Sequence, residues 1–375
     1  MNCQTLYLGM ALRLLVSDLK VLFLYRYGIL GGVCTQLYHR FRHIRKHSDL
    51  EIHCGFRSNN GVDAMLGEFA SLHFGLDENT TKQFVEEGNF DLVIIIDSEE
   101  YIIALRDWEG RPPTVIEVHT SIERNLEYLN RLVSGDLDIF ITVSEYMKER
   151  IKHHRSEDVK ELEILKFENV VDSDLFESSD TPGEGPPVLL WIGKIDDHKD
   201  WRKFLEICGE VSKKNEVVEF WIAGGQTSTS ETAQEVFEEA EKREIIHRFR
   251  WFDRIENNKL PKLLSLVSKR GGLKIVTSHG ESFGMSILES LLCGCPVISS
   301  RVGAIPEISP TNYCFRLYDL GDVSKASEMA IELLSNPFSK ENREEMEEMR
   351  SVLVGKYSSS TRSEEYWKLL QEIAN

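Results

Sequence analysis

The chain has no paired C-x-x-C spacing: its seven cysteines are odd in number and scattered along 375 residues. That excludes a clustered zinc site and a disulfide framework, and it fits a reducing cytoplasm. Long apolar runs are missing as well. The apolar lead-in Leu6 to Val16 is short, is interrupted by Arg13 and has no basic region before it, so neither a membrane span nor a signal peptide is expected. Positive charge is scarce, with 44 Lys and Arg against 62 Asp and Glu for a net −18. Such a chain has no general affinity for nucleic acid or an anionic membrane, and any contact of that kind needs a local basic patch. A G-x-G-x-x-G after a strand is also absent, which argues against an NAD-dependent enzyme. What remains is an ordinary globular composition, 41% hydrophobic and 28% charged, on a chain longer than one core usually takes.

Two domains of one architecture are expected. Apolar runs at Lys20 to Tyr25, Leu50 to Cys54, Leu92 to Ile96, Thr114 to Val118 and Ile139 to Val143 alternate with helix-like stretches, the pattern of parallel βαβ units. Asp172 to Pro187 turns polar and rich in Gly, Pro, Ser and Asp, as a linker does. The pattern then restarts at Val188 to Ile192, Val217 to Ile222, Phe249 to Phe252, Leu273 to Val276 and Pro296 to Ser299. The expected fold is therefore α/β, two Rossmann-like domains facing a central cleft. The boundaries fall at 1–178, joined by a last helix over 359–375, and at 179–358.

The most informative segment runs from Ser278 to Ser290. It follows a strand, passes through Gly280-Glu281, and opens a short amphipathic helix that Gly294 stops. A helix beginning there offers unpaired N–H groups around Ser282, Phe283, Gly284 and Met285 to an anion. Gly284 lets a ligand come close to the backbone. Glu281 and Glu289, with seven residues between them, can accept hydrogen bonds from hydroxyls, the groups that sugars present. A capped core helix bearing two solvated glutamates would show the same letters.

Upstream, Leu189-Leu190-Trp191-Ile192-Gly193-Lys194 leads to Lys199, and Ala223-Gly224-Gly225-Gln226 ends the next strand. In the first half, Gly31-Gly32 opens a helix and Val118-His119 ends a strand, where Rossmann-like sheets place ligand contacts. Together, in this order, these motifs resemble the retaining glycosyltransferases of the GT-B fold, family 4, the glycosyl transferases group 1. The resemblance implies a nucleotide-diphosphate sugar, UDP- or GDP-linked, as donor substrate, with no cofactor and no required metal. It puts Glu281 on the donor sugar and Glu289 on the ribose, with His119 reaching the sugar from the other domain. Lys194 and Lys199 fall against the diphosphate, and Gly31, Gly32, Gly193, Gly224 and Gly225 approach donor or acceptor.

Several departures accompany the match. Lys194 stands where the family commonly has Arg, which loses bidentate phosphate recognition but keeps the charge. Asp200 follows Lys199 where Gly is usual, and Ala304 replaces a glycine in Gly303-Ala304-Ile305-Pro306-Glu307, a segment that can also be a rigid turn. Ser144 is expected to cap the helix after Ile139 to Val143. Asp136-Leu137-Asp138 spells a D-x-D but directly precedes an apolar strand, so solvated residues rather than metal ligands are expected. In the family, the last helix crosses back to the first domain; Tyr366, Leu369, Leu370 and Ile373 have the spacing to pack there.

The acceptor is less defined. The stretch Val33 to His47 carries Leu37, Phe41 and Ile44 on one face with Arg40, Arg42, Arg45, Lys46 and histidines around it. Such a patch in an acidic chain suits an anionic headgroup, a phosphorylated acceptor or a lipid-linked glycan, and equally a solvated helix face. A GT-B epimerase or phosphorylase, and a non-catalytic GT-B scaffold, are the competing functions.

Overall fold

The computed structural model describes residues 19–29, 31–45, 50–180, 182–225 and 229–375; the Leu6 to Val16 lead-in, Lys46 and His47 lie outside them. The first half builds strands β1 (Leu19–Tyr25), β2 (Tyr27–Ile29), β3 (Leu50–Phe56), β4 (Ser58–Asn60), β5 (Ser71–Phe74), β6 (Leu92–Ile96), β7 (Thr114–Val118), β8 (Ile139–Thr142) and β9 (Ile164–Lys166). Seven of them form a parallel sheet in the order β5-β3-β1-β6-β7-β8-β9, and β2 and β4 pair separately beside it. The second half builds β10 (Val188–Ile192), β11 (Glu219–Ala223), β12 (Phe249–Phe252), β13 (Leu273–Val276), β14 (Val297–Ser300) and β15 (Phe315–Tyr318), in the parallel order β12-β11-β10-β13-β14-β15. This is the expected arrangement of two Rossmann-like sheets. The central strands read as continuous apolar runs because helices cover both faces.

Five strands escaped the periodicity reading. β2 and β4 are tripeptides, β5 and β9 are short sheet-edge strands with few buried apolar positions to mark them, and β15 is an edge strand of only four residues, although Phe315, Leu317 and Tyr318 are buried. The linker expectation also needs correction at its start. Asp172 and Phe176 are fully buried, and Val171 forms an isolated parallel bridge with Ser358. The chain thus crosses between the sheets twice, at 171–173 and 357–359, and the two crossings are hydrogen-bonded: Val171 N–H to Tyr357 O at 2.8 Å, Ser359 N–H to Val171 O at 2.7 Å.

After the second crossing, the Ser359–Ala374 helix packs on the first half, burying Tyr366, Trp367 and Leu370 against Leu37, Phe41 and Ile94, with Leu369 and Ile373 at the margin. Its partner is the Gly32–Ile44 helix, so that helix is covered on both sides. The basic stretch expected on 33–47 is therefore exposed only in part. Arg40 is buried against Glu117, His39 and His43 are buried, and Arg42 binds Asp172 at 2.5 Å. Arg42 and Arg45 are the exposed cations among the described residues of this stretch, and Arg45 donates to the Glu68 carbonyl. Among the described residues, no helix is long and apolar enough to cross a membrane.

Candidate functional site

Sheet order explains why distant residues meet. In the second sheet β10 and β13 are neighbours although β11 and β12 intervene in sequence, so the loops leaving their carboxyl ends flank one crevice. The loop after β10 carries Lys194 and Lys199; the loop after β13 carries Glu281. Lys199 Nζ lies 2.6 Å from Glu281 Oε1, and Ser278 Oγ donates to the same oxygen at 2.7 Å. Burial pushes the Glu281 carboxyl up, but the Lys199 ammonium and these hydrogen bonds outweigh it and hold the group below its ordinary range. Lys194 is exposed, and its charge reaches the Cys34 thiol in the Gly32–Ile44 helix.

Gly284 is the N-cap of the Met285–Leu292 helix, with φ +104. Only glycine adopts that backbone readily, and an added Cβ would also meet Ile308 Cδ1 at 2.9 Å. The first N–H groups of the helix open toward the Glu281 loop, where Phe283 is buried and Met285 half-buried. Gly193 and Gly224 have a further reason to be glycine. A Cβ on Gly224 would sit 2.1 Å from the Gly193 carbonyl, so they let two strand ends touch. A Cβ on Gly225 would meet the Trp251 ring. Gln226 lies outside the described residues. At Gly31 and Gly32 the space is open, a Cβ on Gly32 meeting nothing within 4 Å.

The two halves touch around this crevice. Ser121 Oγ, two residues beyond His119, approaches Gly280, and His198 lines the same contact. Ser144 caps the Glu145–His154 helix as expected, accepting from Met147 N–H at 3.2 Å, and its hydroxyl donates to the Ser282 carbonyl at 2.8 Å. Glu307 is more than a turn residue. Its carboxylate accepts from the N–H groups of Glu145 and Tyr146 at 2.9 and 2.7 Å, capping a first-half helix from the second half. Gly303 seats this loop by backing onto the Glu281 carbonyl.

His119 is nearly buried, its ring Nε2 2.9 Å from Glu117 Oε1 and its N–H 3.1 Å from both Asp97 oxygens. Glu289, also nearly buried, lies 3.5 Å from His39 Nε2. Glu281 and Glu289 both act on Lys274, whose buried ammonium is pushed down to about 7 mainly by desolvation and whose Nζ donates to the Ser286 carbonyl at 2.6 Å. Sequence reasoning missed Lys274, which sits inside an apolar strand. It missed Asp97 too: the φ of +42 at the end of β6 has no sequence signal, and burial raises that carboxyl to about 6.

Of the D-x-D aspartates, Asp138 is exposed as expected and Asp136 is not. Asp136 is buried and grips Arg106 at 2.8 and 2.6 Å, while Asp138 binds Arg111 at 2.7 Å and the Thr114 N–H at 2.8 Å. Among the described residues, one cluster has metal-ligand spacing, His43 with Asp172 and Asp174, and Arg42 already neutralises Asp172.

Residues 173–350 match the model of the family described as Glycosyl transferases group 1. The chain is 28% identical over 152 residues to the 2-deoxystreptamine N-acetyl-D-glucosaminyltransferase of Niallia circulans, which is 40% of this chain and 37% of that relative's length. The chain thus spans little more than a third of that curated relative. The structure superposes on Anabaena HepE in complex with UDP-glucose with a TM-score of 0.79 at 15% identity, covering 94% of this chain and 99% of the other. Sucrose-phosphate synthase from Thermosynechococcus elongatus gives 0.75 at 14%, covering 95% and 99%. At such identities the likeness shows the shared two-sheet fold.

Proposed function

We propose that this chain, whose residues 173–350 belong to glycosyl transferases group 1, moves a hexose-type sugar from a nucleotide-diphosphate sugar to an acceptor hydroxyl. The observation that carries the reading is the Lys199–Glu281 pair, a half-buried carboxylate and an ammonium set beside a glycine-capped helix N-terminus. A donor's leaving group is an anionic diphosphate and its sugar is a set of hydroxyls. Lys194, Lys199 and the N–H groups of Phe283, Gly284 and Met285 supply preorganised positive potential for the first. Glu281 accepts from the second, with His119 on the sugar from the other side and Glu289 on the ribose.

The reaction is retaining and metal-independent on this reading. Among the described residues no second carboxylate is paired with Glu281 as a nucleophile, and the resemblance to retaining transferases implies attack from the face the diphosphate leaves, with a phosphate oxygen taking the acceptor proton. The donor half is 179–358 and the acceptor half 1–178 with the last helix. Closure about the paired crossings at Val171 and Ser358 excludes water, which otherwise competes as acceptor. The six described cysteines are buried and unpaired, which supports a reducing cytoplasm. HepE's complex with UDP-glucose makes uridine diphosphate sugars the first donors to try.

The test is a thermal-shift screen of UDP- and GDP-sugars in EDTA, followed by a donor-hydrolysis assay. Stabilisation and slow hydrolysis with one of them are expected, both lost in Glu281→Ala. A screen in which none stabilises and none is hydrolysed would sink the transferase reading, and an absolute need for added divalent metal would sink metal independence.

A further inference from the structure

We propose that Glu117 and Arg40 are positioning residues: they hold the His119 ring by Nε2, leave Nδ1 as its free face for a ligand, and tie that state to Tyr366 on the last helix. The proposal rests on the reading of His119 as a donor-sugar contact.

Glu117 and His119 are two residues apart at the end of β7, so their side chains share a face. The Glu117 side chain is fully buried, and one oxygen, Oε1, receives both Arg40 Nη1 at 2.6 Å and His119 Nε2 at 2.9 Å. Although desolvation raises the Glu117 carboxyl, Arg40 and His119 bring it down to about 2. An ionised carboxylate only accepts, so His119 Nε2 carries the hydrogen, and in the neutral ring Nδ1 is left as an acceptor for a hydroxyl. The Asp97 carboxylate at the end of β6 fixes the residue's own N–H, so ring and backbone are both anchored.

Arg40 is held in turn. Its Nη1 donates to the Tyr366 hydroxyl at 3.3 Å, and its guanidinium lies over the Tyr366 and Phe167 rings at 4.7 and 5.4 Å from their centroids. The groups facing His119 are thus Glu117 on its own strand, Asp97 on β6, and Arg40 and Tyr366 behind Glu117 on two helices. A pair serving only to join helix and sheet would do as well as an apolar pair of similar volume, which is often as stable or more so. An apolar pair cannot fix an imidazole tautomer, and this difference separates the two roles.

The experiment is long-range ¹⁵N–¹H NMR of full-length protein labelled on histidine, with His119 assigned by its loss in His119→Gln. The wild type should show His119 protonated at Nε2; protonation at Nδ1 alone overturns the proposal without any further variant. The double variant Arg40→Met/Glu117→Leu removes both buried charges together and keeps the volume. It should fold, lose the fixed Nε2–H pattern, and lower kcat on the order of 10²-fold with donor KM nearly unchanged. Adding His119→Ala to it should cost little more. Wild-type kcat in the double variant, or an unchanged His119 pattern, would overturn the proposal. If no sugar nucleotide is turned over even by the wild type, the transferase reading fails while the NMR result still decides the positioning.

Discussion

Lys199 and Glu281 form one chemical unit, although 82 positions separate them. The carboxylate is half-buried, which raises its pKa, and the ammonium beside it is the largest of the influences that bring it down. Lys199→Ala removes the lowering influence and keeps the burial, so Glu281 should titrate higher. The acid limb of the kcat–pH profile then moves to higher pH, and kcat at neutral pH falls on the order of 10²-fold. A limb that stays put would mean that the two side chains do not act together. Lys274 makes a second residue-scale case. Its folded pKa of about 7 lies below the ordinary 10.5, so between those values the folded state binds fewer protons than the unfolded one. Stability must therefore rise as pH climbs through that window. Lys274→Met should flatten that slope, so its effect on stability should be more favourable at pH 7 than at pH 9. Urea titrations at pH 7 and 9 measure both effects. Ser290 Oγ also bonds the Ser286 carbonyl, so the substitution does not orphan that acceptor.

Among the elements, the Met285–Leu292 and Glu145–His154 helices define the crevice because both begin at it. Each start was legible: a Gly-Glu turn before Phe283 and Gly284 in one, a serine before a helical run in the other. The Ser144 cap is a local contact and was expected from its neighbours. The Glu307 cap was not, because its partners are 162 and 161 residues away and only sheet packing brings them together. Two substitutions test these starts by chemical denaturation. Gly284→Ala forces a side chain into a left-handed conformation against Ile308 and should cost about 1–2 kcal/mol, more if Ile308 cannot move. Glu307→Ala removes a two-point cap and should cost about 1 kcal/mol. It should also speed proteolysis near Glu145, since the same contact holds the halves together.

Across the whole molecule, one apolar core runs through both halves. Phe176 and Val171 from the first crossing, Phe283 and Ile287 from the donor loop and helix, and Tyr357 from the second crossing belong to a single cluster. The Phe283 and Tyr357 rings meet edge to face at 5.4 Å. Two separately stable domains would melt in two steps, whereas a shared core couples them. Calorimetry should give one transition whose calorimetric and van't Hoff enthalpies agree. Deleting residues 359–375 removes Tyr366, Trp367 and Leu370 from the first half and strips Arg40 of its cover, so the truncated chain should lose that cooperative transition.

The chain's local patterns by themselves determined the α/β class, ten of the fifteen strands among the described residues to within two residues or so, the restart of the pattern near Val188, and the glycine-turn-helix around Glu281. Each is a short-range property, since periodicity, turn chemistry and capping act over a few neighbouring residues. Tertiary structure alone decided which groups become partners: Lys199 with Glu281, Arg40 with Glu117 and Tyr366, Glu307 with the Glu145 helix. Those pairings follow from which strands lie side by side and from where the last helix returns. The basic stretch at 33–47 shows the physical reason. In sequence its cations look solvated, because nothing nearby marks the helix that later covers them. Once covered, a charge must find an opposite charge or pay a large desolvation penalty, and the fold supplies Glu117 to Arg40.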